Sequence, residues 1–221
     1  MTLTLPGLDT AQRHREDADA SQWFTPLPIA RRMVAWAVSI KPSSIIEPSC
    51  GSGNLIAACR ERWSNAVIEG VEMDPHYADA CRQRFSDVAW TYVFTASFFD
   101  WEMVGGPHDL CVMNPPYEDG LDGRFLAHAM DLSQRVIALV RLAALAGQAR
   151  HEGVWSRCSP SGDFALRGLA IFAGRPRFES GRSIGDREDS GSAKADFCVV
   201  KLSRRTDDER GVDIPTHVEW W

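Results

Sequence analysis

Ser44-Ile45-Ile46 runs into Glu47-Pro48-Ser49-Cys50-Gly51-Ser52-Gly53-Asn54-Leu55, and from there into the helical pattern Ile56-Ala57-Ala58-Cys59 up to Trp63. This reads as strand, glycine-rich turn, helix. Glycines let backbone approach a ligand closely, and a helix N-terminus carries partial positive charge suited to a carboxylate. A second apolar strand, Ala66-Val67-Ile68-Glu69-Gly70-Val71, ends in Glu72. That acid stands some twenty residues beyond the turn, where it can grip ribose hydroxyls. Alternation of this kind continues along the chain. Strands are expected near 44–48, 66–71, 91–95, 109–113, 136–140, 169–173 and 197–202, and helices near 27–38, 53–63, 75–85, 123–132 and 142–151. The pattern predicts an α/β domain whose mostly parallel sheet is covered by helices on both faces.

The expected strand Asp109-Leu110-Cys111-Val112-Met113 leads directly into Asn114-Pro115-Pro116-Tyr117. By itself the tetrapeptide is compatible with an ordinary strand-to-loop turn, since Asn and Pro are both favoured there. Its chemistry suits methyl transfer to a planar, exocyclic nitrogen. Such an amine is a poor nucleophile because its lone pair is delocalised into a π system. An Asn side-chain oxygen and the carbonyl of the following Pro can each accept one amine hydrogen, which pulls the nitrogen towards tetrahedral geometry and aims its lone pair at a donor. Pro115 and Pro116 fix φ and keep those carbonyls in place. Tyr117 supplies a flat face for stacking, worth about 1–3 kcal/mol with a nucleobase.

With the glycine turn, the acid at the next strand end and this tetrapeptide together, the chain resembles the S-adenosylmethionine-dependent DNA N6-adenine methyltransferases of phage and restriction-modification type. The resemblance spans roughly Trp23 to Leu202. It implies a Rossmann-like class I methyltransferase fold of seven strands with an antiparallel last strand, Phe197-Cys198-Val199-Val200-Lys201-Leu202. Trp23-Phe24-Thr25-Pro26-Leu27-Pro28-Ile29-Ala30 is similar to the family segment whose Thr contacts the methionine carboxylate of the cofactor. Thr25-Pro26 also makes a helix start, with Thr as N-cap and Pro at the first helical position. The resemblance further implies cofactor contacts from Glu47, Ser49, Gly51 and Gly53, ribose contacts from Glu72, and Met73 flanking the adenine. Asn114 would serve at the junction of cofactor and target. At the position where the family usually has an aspartate that accepts from the cofactor adenine, this chain has Ser97, followed by Phe98. A neutral hydroxyl is the weaker acceptor, which predicts weaker cofactor binding by about 1 kcal/mol. Phe98 either walls the adenine pocket or is a core aromatic. Gly174-Arg175-Pro176-Arg177-Phe178 looks like the segment that supplies an aromatic to a flipped base, which makes Phe178 the candidate second stacking partner of Tyr117.

Length and composition fit one catalytic domain over 21–205, a flexible arm over 1–20 and an acidic tail over 206–221, whose Trp220-Trp221 pair either packs back on the core or engages a partner. No run reaches transmembrane length, and no apolar leader is present near the N-terminus, so the expected place is the cytoplasm of a bacterial or phage-infected cell. The 6 cysteines and 6 histidines lack paired metal-ligand spacing. Reduced thiols and no metal site are therefore expected. Net charge is −6, unfavourable for a nucleic-acid substrate as a whole. Its distribution is more favourable: residues 118–205 hold 14 basic against 11 acidic side chains, a balance of +3. The Arg-, Gly- and Ser-rich stretch up to Lys194 reads either as a solvated loop or as one that meets phosphates.

The expected reaction is adenine methylation in double-stranded DNA with the target base flipped out. Methylation of adenine in RNA, methylation of a protein glutamine, and a noncatalytic binding subunit are the alternatives. No recognition domain is evident, so target choice falls to the 175–196 loop, the N-terminal arm or a specificity subunit, or else is very relaxed.

Overall fold

The computed structural model describes residues 23–37, 41–101, 105–180 and 195–221. The expected flexible arm and most of the loop leading to Lys194 lie outside the described residues. The elements run β1 (Trp23–Phe24), α1 (Leu27–Trp36), β2 (Ser44–Pro48), α2 (Asn54–Arg62), β3 (Val67–Glu72), α3 (Pro75–Arg84), β4 (Thr91–Thr95), β5 (Leu110–Met113), α4 (Leu121–Leu132) and β6 (Arg135–Arg141). They continue with α5 (Gln148–Gly153), β7 (Phe164–Ile171), β8 (Glu179–Ser180), β9 (Phe197–Arg204) and β10 (His217–Trp220).

The main sheet has the order β10-β7-β9-β6-β5-β2-β3-β4. Strands β4, β3, β2, β5 and β6 are mutually parallel, and β9 inserts antiparallel between β6 and β7. Burial on both faces explains the near-continuous apolar strands. In β2, Ile45 points into the core shared with Met33 and Ile56, whereas its neighbour Ile46 faces the core of Phe125 and Met130. The same alternation divides Val112 from Cys111 and Met113 in β5.

Four expectations are corrected. The sheet has eight strands, not seven, because the acidic tail 206–221 adds β10, which pairs parallel with β7 from His217↔Gly168 to Trp220↔Ile171. Trp221 packs back, with its ring against Trp36 and Phe172 and the Arg32 guanidinium 4.5 Å from its centroid. Trp220 stays exposed. The helix expected over 142–151 is a 3₁₀ turn at Leu142–Leu145 followed by α5, interrupted by Gly147 at φ 102°, a conformation incompatible with a continuous helix. The strand expected at 169–173 runs from Phe164 to Ile171, with a register shift between Leu166 and Gly168 where it pairs with β9. Finally, Pro26 and not Thr25 occupies the N-cap of α1, with no side-chain capping bond, which leaves the Thr25 hydroxyl available for other work.

Candidate active site

Strand order reverses between β5 and β2, which run parallel with Ile45 opposite Leu110 and Ile46 opposite Cys111. Ligands in open α/β sheets sit at such a switch point, beyond the carboxyl ends of the strands. Two loops leave there side by side, 49–53 after β2 and 114–117 after β5. They touch directly, since the Ser49 hydroxyl lies 3.3 Å from the Asn114 carbonyl oxygen that accepts from it.

The first loop is built from left-handed residues, Ser49 at φ 58°, Gly51 at 51° and Gly53 at 82°. Gly51 has a second reason to lack a side chain: a Cβ there would stand 2.4 Å from Cε1 of Phe24. The Glu72 carboxylate ties this loop to the end of β3, accepting from Gly51 N–H at 2.8 Å and from Asp74 N–H at 2.9 Å. Burial raises the Glu72 pKa, opposed by those backbone donors.

Two buried polar atoms on the same pocket wall have no partner among the described residues. Glu47 is 3% exposed and its Oε2 accepts nothing; Thr25 is 5% exposed and its Oγ1 is likewise unmatched. Both line one pocket with Ser49, Cys50, Ser52 and Asn114. Burial drives the Glu47 carboxyl well above its ordinary range, outweighing a backbone hydrogen bond from Ile56 and the more distant Arg84 cation. An unmatched buried carboxylate oxygen and hydroxyl in one pocket are complementary to a zwitterionic ligand carrying an ammonium and a carboxylate.

Further along the strand ends, Met73 is 74% exposed and free to lie against a flat ligand. The Ser97 hydroxyl accepts from Phe99 N–H at 3.3 Å and so caps a short 3₁₀ turn. Phe98 is a core aromatic, buried against Phe125 and His128 at centroid distances of 5.1 and 4.7 Å.

In the second loop the stacking face expected of Tyr117 is partly covered. The Tyr117 ring is turned inward against Phe197, at 5.3 Å, and its hydroxyl donates to Asn114 Oδ1, with the Leu139 carbonyl 3.2 Å away. Burial raises the phenol pKa well above normal. Phe178 is buried too, 5.0 Å from Phe197, which therefore packs against both candidate stacking rings. As a core residue, Phe178 presents no free face to a base.

Two participants escaped the sequence reading. Phe24 covers Gly51 and meets Tyr77 edge-on at 4.9 Å; its place directly before Thr25 was the available signal. Arg141 donates to the Tyr117 carbonyl from the end of β6, a contact between residues 24 apart that no local pattern announces.

The strand order, the two loops at its switch point and the acid closing β3 define the class I S-adenosylmethionine-dependent methyltransferase fold. Solved structures agree at low sequence identity: Pyrococcus horikoshii PH1948 superimposes with TM-score 0.65 at 16% identity, covering 85% of this chain and 89% of that one. The 23S rRNA methyltransferase ErmE gives TM-score 0.60 at 18% identity, covering 87% and 73%. In sequence the chain resembles type II methyltransferases. M.CvrRI of Paramecium bursaria Chlorella virus XZ-6E is 33% identical over 47% of this chain and 26% of its own length. M.XamI of Xanthomonas campestris pv. amaranthicola is 36% identical over 42% and 19%. The tRNA1(Val) (adenine(37)-N6)-methyltransferase of Aliivibrio fischeri is 33% identical over 38% and 36%. The matches thus span about a third or less of these relatives. No family model matches the chain. No helix among the described residues is long and apolar enough to cross a membrane.

Proposed function

We propose that this chain transfers a methyl group from S-adenosylmethionine to the N6 amino group of adenine in DNA, with the target base flipped out of the duplex. The observation that carries the reading is the contact of the Glu47–Gly53 loop with Asn114, which puts a pocket suited to the donor against acceptors suited to the amine. Resemblance to type II methyltransferases supports DNA as the substrate.

Bound S-adenosylmethionine supplies an electrophilic methyl group on its sulfonium. Glu47 Oε2 and Thr25 Oγ1 are the groups to receive the methionine ammonium and carboxylate, which would end their isolation. Gly51 and Gly53 keep the loop flat enough for close approach, and Ser49 braces it against Asn114. Each Glu72 oxygen keeps lone-pair capacity after accepting one N–H, enough for ribose hydroxyls. Met73 and Ser97 stand for the adenine end.

Asn114 Oδ1 and the Pro115 carbonyl would accept the two amine hydrogens, while Pro116 holds the turn. The Tyr117 hydroxyl uses one lone pair of Asn114 Oδ1, and the second remains to accept an amine hydrogen once the Tyr117 ring turns from Phe197 to face the base. Incubation with labelled S-adenosylmethionine and plasmid DNA lacking adenine methylation, followed by nucleoside mass spectrometry, tests the reading. N6-methyladenine in the DNA is the expected product, and none under conditions where the cofactor binds would defeat it. Likeness to the Aliivibrio tRNA enzyme favours RNA as the second reading, and a parallel incubation with tRNA separates the two.

A further inference from the structure

Beside the proposed base pocket, Asp122 in the first turn of α4 is completely buried and accepts from two arginines. Arg141 Nη2 lies 3.4 Å from its Oδ2, and Arg150 Nη2, from α5, lies 3.3 Å from its Oδ1. The same Oδ1 takes Gly123 N–H at 2.9 Å. One carboxylate needs one cation for neutrality, so the second guanidinium leaves a surplus positive charge. Both arginine side chains are partly exposed, 31% for Arg141 and 28% for Arg150. Their Nε–H groups are buried and have no acceptor among the described residues, so the accessible part of each side chain lies away from Nε. The pair is also close to the site: Arg141 donates to the Tyr117 carbonyl, and its guanidinium is 5.5 Å from the Tyr117 ring centroid.

We propose that Arg141 and Arg150, held side by side by Asp122, form a clamp for the phosphodiester group of the substrate strand next to the target base. This rests on the nucleic-acid reading above and deepens it. Guanidinium forks match phosphate geometry, and a base brought to Tyr117 carries its own phosphates past the rim where these forks lie. Asp122 fixes the pair without cancelling it.

Arg150 is the residue to test, because its ion pair is with Asp122 and, among the described residues, it does not hydrogen-bond to the 114–117 loop. Binding of a fluorescently labelled DNA duplex is measured by anisotropy across a salt series for wild type, Arg150→Gln and Arg150→Lys. Loss of one phosphate contact lowers the slope of log affinity against log salt by about 0.9. Arg150→Gln is expected to show that loss with S-adenosylmethionine affinity unchanged, and Arg150→Lys to retain the wild-type slope. An unchanged slope in a folded, cofactor-binding Arg150→Gln protein overturns the clamp. Should that variant fail to fold, wild-type protein is titrated with duplexes in which single phosphates flanking the methylated adenine are replaced by neutral methylphosphonates. About tenfold weaker binding at one flanking position supports the clamp, and no loss at either flank overturns it. If wild-type protein methylates no DNA, the proposed function itself fails; DNA methylation with a salt slope indifferent to Arg150 removes only the clamp.

Discussion

The Tyr117 hydroxyl donates a hydrogen bond to the side-chain oxygen of Asn114, three residues earlier in the same turn. The acceptor proposed for the target amine thereby already takes one hydrogen bond from within the turn, and the ring proposed for stacking packs against Phe197. Tyr117→Phe removes this latch and keeps the face, so its kcat/KM on duplex DNA is expected at or above wild type. Tyr117→Ala loses the face and about 1–3 kcal/mol of base capture. Fluorescence of 2-aminopurine at the target position reports both: it should rise on binding to wild type and to Tyr117→Phe, and stay quenched with Tyr117→Ala.

Asn114→Ala deletes one of the two acceptors proposed to act on the reacting amine. The expected loss is about 3 kcal/mol in the transition state, a hundredfold in single-turnover rate, with cofactor affinity retained. A rate near wild type would remove Asn114 from the mechanism.

Burial holds the Glu47 and Glu72 carboxyls above their unfolded values. Between the ordinary carboxylate pKa and the raised folded one, the native state keeps a proton that the unfolded state has lost. Stability of the cofactor-free protein is therefore expected to fall as pH rises through that window. Glu47→Gln should flatten part of this dependence in thermal unfolding while weakening S-adenosylmethionine tenfold or more, since a charge-assisted bond to the ammonium is worth about 1.5–3 kcal/mol. Glu47→Gln with undiminished cofactor affinity would place the ammonium elsewhere.

Ser97→Asp keeps an oxygen to cap the turn at Phe99 and adds a charge where the cofactor adenine is expected. Calorimetry should show tighter cofactor binding, by about 1 kcal/mol. Unchanged or weaker affinity would mean that the adenine lies away from this turn.

Trp221→Ala tests the closure of the sheet by β10. The half-buried ring meets Trp36, Phe172 and Arg32, so about 2 kcal/mol of stability should go, less than for a fully buried Trp. Denaturant unfolding measures it, and a midpoint unmoved from wild type would make the terminal strand dispensable.

Local chemistry was legible where it depends on neighbours in sequence. Pro48, Gly51 and Gly53 mark the turn after β2, Glu72 closes β3, and Asn114 to Tyr117 follow an apolar strand, so the parallel core and the two loops at its switch point could be read from the chain. Strand burial on both faces is likewise written in composition, because buried strands must be apolar on consecutive residues.

Orientation and pairing were decided only by the fold. Tyr117 faces inward because Leu139 and Phe197, from strands distant in sequence, offer it an acceptor and a ring. Phe178 was read as a stacking residue and is core because Phe197 packs against it. The segment 206–221 reads as acidic tail, yet β7 presents an open edge that His217–Trp220 completes, and Trp36 with Phe172 offers Trp221 a seat. The sequence alone thus determined which backbone turns and strand ends meet at the switch point. Which side chains are free to act depended on hydrogen-bond partners and packing surfaces supplied by residues far away along the chain, and only the tertiary structure brings those together.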